Sequence, residues 1–165
     1  MKSIIKYIFV LLLVTGITTT VSAQQADIAA NATVDANVDL SSGDDLNFGN
    51  IAAGSPSTVN PGDGTAGTFS VSGNVGNVDL SFSLPSELTG SEDNLPISFG
   101  GTSASWGDNA YDSNNDFDPN DGASVNLLEQ TDRDITVFIG GTVDPATNQA
   151  AGSYNGTITL TATYN

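Results

Sequence analysis

Past the first 23 residues, apolar and polar positions alternate along this chain, and no stretch repeats apolar residues at the i, i+3, i+4, i+7 spacing of a packed helix. Period-2 alternation is the mark of a strand with one face buried, because successive side chains leave a strand on opposite sides. The longest run places Ile28, Ala30, Ala32, Val34, Ala36, Val38 and Leu40 on one face. That predicts a strand over residues 28–40, far longer than the usual five or six residues or so. Leu46, Phe48 and Asn50 share a face in "DLNFGNI", and Phe69 and Val71 do so in "TFSVSG". Val78, Leu80, Phe82 and Leu84 alternate strictly up to Pro85. "LPISF" is short and follows turn residues, so it reads at best as an edge strand, and "SVNLL" is another weak candidate. Ile135, Val137 and Ile139 precede the break at Gly140-Gly141, and from Tyr154 onward Ile158, Leu160, Ala162 and Tyr164 alternate with threonines. About seven strands separated by Gly, Pro, Asn and Asp turns predict an all-β fold, an immunoglobulin-like Greek-key β-sandwich, with a small barrel as the alternative.

The two ends of the chain add to this picture. Lys2 and Lys6 flank the start of an apolar run that leads to Val21-Ser22-Ala23, a small-x-small cleavage site. Residues 1–23 therefore read as a secretory signal peptide, which predicts an exported bacterial protein with no membrane span after cleavage. The run is shorter than the ~20 apolar residues a span needs. Residues 24–165 form a single domain in this reading, with 24–30 as an N-terminal extension. At the other end the sequence stops on the strand pattern itself, at Tyr164-Asn165.

Charge and composition narrow the function. Loss of residues 1–23 leaves Arg133 as the sole cation against 19 carboxylates, a formal charge of −18. Such a surface repels nucleic acid and anionic membrane. It suits a salt-adapted protein, since screening shortens to about 3 Å at 1 M salt; cation binding is the other explanation for the same charge. Without His or Cys, and with no Lys after Lys6, neither a Ser-His-Asp or Cys-His site nor a lysine-based site can be assembled. A carboxylate pair remains available, but the aromatic residues that would line a sugar groove fall mostly within strand patterns. The chain reads as a non-enzyme.

The sharpest local cluster is "WGDNAYDSNNDFDPNDG", residues 106–122. Asp112, Asn114, Asp116, Asp118 and Asn120 recur at every second position, a spacing that turns oxygens toward a hard cation such as calcium. The run departs from a calcium-loop signature counted from Asp116, with Asp121 at its sixth position and Leu127 at its twelfth. A solvated acidic loop is the competing reading.

Gly152 and Tyr164, fourteenth and second from the C-terminus, bracket the final alternating run. The pair resembles the C-terminal signature of chaperone–usher pilins, whose last strand a periplasmic chaperone grasps by β-strand addition. More of the chain resembles the DUF4402 family of secreted bacterial β proteins: "DLNFGNIAAG" at 45–54, "GTFSVSG" at 67–73, "VFIGGTV" at 137–143 and "GSYNGTITLTATYN" at 152–165. The resemblance implies a pilin-like sandwich and carries no catalytic residues or cofactor. The absence of cysteine departs from many usher pilins. The expected function is thus a non-catalytic structural or adhesive subunit of a fibre or cell surface, self-assembled by strand exchange or held by a periplasmic chaperone, with Gly152 and Tyr164 as interaction residues. The run at 28–40 is either the donated strand or the domain's own first strand. The alternative is a monomeric extracellular module whose 106–122 loop, with Trp106 and Tyr111, holds calcium or carbohydrate.

Overall fold

The computed structural model describes residues 28–164. The signal peptide expected over 1–23, and the part of the extension before Ile28, lie outside the described residues. The chain divides into two compact units, Met1–Val34 and Asp35–Asn165. In the first, residues 28–34 carry no strand and are exposed, Ile28 at 95% and Val34 at 83%.

The second unit is a β-sandwich. Its strands are β1 (Val38–Ser42), β2 (Ser57–Val59), β3 (Gly67–Gly73), β4 (Asn77–Ser83), β5 (Glu87–Thr89), β6 (Asn94–Ser98), β7 (Ala104–Gly107), β8 (Ala123–Asn126), β9 (Asp134–Ile139), β10 (Gly141–Val143) and β11 (Thr159–Tyr164). Three 3₁₀ turns, Ser113–Asn115, Leu127–Glu129 and Thr131–Arg133, are the only helical segments among the described residues. All pairings are antiparallel, in sheets ordered β1-β3-β9-β7, β11-β4-β8 and β2-β10-β6-β5. The first two face each other across the main core. Val71, Ile135 and Val137 from one meet Val78, Leu80, Val125 and Leu160 from the other, closed by Val75 and Leu127. The order β1-β3-β9-β7 against β11-β4 is the A-B-E-D against F-C order of a constant-type immunoglobulin domain. On the side of β11 where that fold pairs its strand G, no strand is hydrogen-bonded to it among the described residues, although β1 comes close.

The third sheet accounts for the surplus over seven strands. The chain passes into it from β9 at Gly140, where a Cβ would collide with the Val59 carbonyl, so glycine allows the backbones this close. Leu95, Ile97 and Val143 form a second, smaller core there, packed by Phe48, Ile51, Leu88, Phe99 and Tyr154.

Several strand expectations need correcting. The strand expected over 28–40 begins only at Val38. Alternation states which face a strand would bury, but backbone N–H and C=O groups also need a ladder, and residues before Val38 have none. Asn74 instead anchors Asp35 and Asn37: its Nδ2 donates to the Asp35 carbonyl (2.8 Å), its Oδ1 accepts from the Asn37 N–H (2.7 Å) and its own N–H donates to the Asn37 carbonyl (3.1 Å). Residues 46–50, also expected as a strand, are irregular. "LPISF" lies inside its sheet as β6 rather than at an edge. Pro96 is tolerated because it sits just past the last β6–β10 pair, Val143↔Ile97, where its carbonyl accepts from the Asp144 N–H (3.1 Å).

Candidate functional site

The Asp- and Asn-rich loop is held by hydrogen bonds within itself. Asp112 Oδ1 accepts from the Asn114 N–H (2.9 Å) and side-chain amide (2.7 Å), and Asp118 Oδ1 accepts the same pair from Asn120 (2.9 and 2.7 Å). These are Asx turns, in which a carboxylate caps the backbone two residues on, and they give the every-second-residue spacing a structural use. Asn120 Nδ2 also reaches the Phe99 carbonyl (3.1 Å), and Asp116 Oδ2 accepts from the Tyr111 hydroxyl (3.2 Å). Asp116 Oδ1 is buried without a hydrogen-bond partner. Among the described residues no three acidic side chains gather as a metal site.

Around Tyr111, partial desolvation, then the Asp116 charge and the hydrogen bond to it, raise the phenol above its ordinary value of 10.0. Its ring meets Phe138 edge-on at 6.3 Å. Trp106, expected beside Tyr111 as a binding aromatic, packs instead against the main core.

The sandwich also carries a cleft of about 780 Å³. It opens where β1 ends at Ser42 and where the chain approaches β11 through Ile158. Buried Leu95, Ile97 and Ile139 line it with half-buried Phe48, Leu88 and Ile158, while Asp44, Asp45, Ala53 and Ala151 are exposed along it. Residues 44–53 contribute one side. Leu46, Phe48, Asn50 and Ile51 there make no backbone hydrogen bonds among the described residues. Residues 149–158 contribute another, held in place at a few points. Gln149 Nε2 donates to the Asn94 carbonyl (3.1 Å) and the Tyr154 hydroxyl (2.9 Å), that hydroxyl donates to the Ala150 carbonyl (2.5 Å), and Asn155 exchanges two backbone bonds with Thr89 (2.7 and 3.0 Å).

The two C-terminal interaction residues lie apart in role. Gly152 is exposed on the cleft lining. Tyr164 pairs with Val78 at the last position of β11 and is 51% exposed, so the expected inner-face burial fades along the strand from Leu160 at 4%. An edge strand has a neighbour on one side only, and its final residue has little to pack against. The strand also starts at Thr159 rather than at Tyr154. The cleft itself escaped sequence reasoning, although the unpaired alternation at 46–50 was its signal.

No curated protein matches this chain. The family model described as domain of unknown function DUF4402 matches residues 17–164, a span that includes both the exposed segment before β1 and the whole sandwich. The chain belongs to the DUF4402 family.

Proposed function

We propose that this chain is a non-catalytic, exported structural or adhesive subunit, pilin-like in using strand addition to join neighbours or to engage a periplasmic chaperone. One observation carries the reading: the sandwich has six strands in immunoglobulin order, and the edge strand β11 has no ladder partner on the side where the seventh would pair. An unpaired edge is a template for another chain's backbone, and β-strand addition supplies ladder hydrogen bonds with side-chain pockets for register. The surface charge accords with assembly in saline surroundings, where repulsion between acidic copies is screened. Mature protein in about 1 M salt should form heat-stable multimers that resist SDS. A protein that stays monomeric with and without a periplasmic fraction would defeat the reading.

The alternative, a monomeric calcium- or carbohydrate-binding module, is favoured by one feature, the unpartnered Asp116 Oδ1. Calorimetric titration with calcium separates the two, because strand addition needs no metal.

A further inference from the structure

The chain contains two stretches that are written as strands and join no strand ladder among the described residues. Residues 28–36 alternate Ile28, Ala30, Ala32, Val34 and Ala36 with mostly polar residues, yet form no strand and are exposed. Residues 46–50 alternate Leu46, Phe48 and Asn50, and these three line the cleft without backbone hydrogen bonds, the stretch being held by one bond from the Asn47 N–H to the Thr65 carbonyl (2.9 Å). Resting on the strand-addition reading, we propose that these two meet between copies: residues 28–36 of one chain enter the cleft of the next and pair along residues 46–51, the apolar side chains resting on Leu88, Leu95 and Ile97.

Geometry favours a second copy over the chain's own segment. The chain enters the sandwich where Asn74 holds Asp35 and Asn37, opposite the end of β1 that reaches the cleft at Ser42. The two ends of β1 are about 13 Å apart at ~3.3 Å per residue. Donor entry and acceptor cleft thus lie at opposite ends of the same strand, an arrangement that joins copies head to tail. Such a heterologous contact does not close on itself in pairs and extends into a filament. The donor suits the site in composition too. Its apolar face is mostly alanine, small enough for a cleft already lined by Phe48, Leu88 and Ile158, with Ile28 and Val34 as its two larger side chains. Nine extended residues reach about 30 Å at ~3.3 Å each. Of its side chains only Asp35 is charged, so 18 of the 19 carboxylates of the mature chain lie outside the joining strand.

Two full-length mature variants test this. Ile28→Asp with Val34→Asp disables the donor at exposed positions, and Ala53→Glu with Ala151→Glu obstructs the cleft at exposed lining positions; circular dichroism and urea midpoints verify that both remain folded. Light scattering behind size exclusion in high salt should find each variant alone at monomer mass. Their mixture should appear at twice that mass and no higher, since one supplies the only working donor and the other the only working cleft. If the unmodified protein multimerises and either variant still does, or the mixture does not pair, this assignment of donor and cleft is overturned while strand addition elsewhere stands. If the unmodified protein stays monomeric with and without a periplasmic fraction, the strand-addition reading falls and this assignment with it; if it assembles only with that fraction, the assignment between copies is overturned alone.

Discussion

Replacing Leu160 by Ala and Tyr164 by Ser compares two residues that sequence alternation puts on one face of β11 but that the fold treats differently. Leu160 is 4% exposed and sits in the main core with Val78 and Leu80; Tyr164 is 51% exposed at the strand's last position. A buried Leu→Ala change costs about 2–5 kcal/mol through lost transfer energy and the cavity left behind. Full aromatic burial is worth about 2–3 kcal/mol, so a half-exposed Tyr164 should lose roughly 1 kcal/mol. Thr163→Ser, on the exposed face, should stay within about 0.5 kcal/mol of the unmodified protein. In urea, where small proteins lose about 1–3 kcal/mol per molar, Leu160→Ala should lower the midpoint by roughly 1–2 M and Tyr164→Ser by about 0.5 M, at unchanged slope. Equal losses for the two would mean that Tyr164 is buried as deeply as Leu160, and the edge assignment of β11 would be wrong.

Gly140→Ala should destabilise by about 1–3 kcal/mol, because the new methyl meets the Val59 carbonyl at the crossing between β9 and β10; urea unfolding measures it, and a neutral result would show that the crossing can relax. The Tyr111 phenol should ionise above pH 10 by ultraviolet titration, and Asp116→Asn should lower its midpoint by removing the neighbouring negative charge. Because the folded form holds this proton longer than the unfolded one, its contribution to stability is present below the ordinary pKa of about 10 and is lost as pH rises through the folded value. Calcium should raise the melting temperature no more than sodium chloride of equal ionic strength, since Asp112 and Asp118 are engaged as turn caps; a specific rise that Asp116→Asn abolishes would reinstate the binding-module reading.

Alternation identified β3, β4, β9 and β11, because each carries large apolar residues that reach the main core. It failed where the same pattern had no ladder to join, before Val38 and at residues 46–50. Period-2 patterning encodes a face to bury and is silent about whether a neighbouring backbone is present to pair. The strands β2, β5 and β10, three residues each, are too short to show a period at all. In the acidic loop, alternate oxygens read equally well as cation ligands or as Asx caps, and only the backbone positions of Asn114 and Asn120 distinguish the two uses. Tyr164 illustrates a third limit, since facing inward does not bury a side chain at a strand's open end.

Amide hydrogen exchange tests the central claim most directly, comparing the unmodified assembled protein with the folded Ile28→Asp, Val34→Asp variant. Where backbone pairing is absent, exchange reports local opening with little protection. The account predicts that in the variant the amides of Phe48, Asn50 and Ile51 exchange rapidly while those of β3 and β9 are protected, and that assembly slows exchange at residues 28–36 and 46–51 together. Protection of residues 46–51 in the monomeric variant, or assembly that leaves both stretches fast, would contradict it.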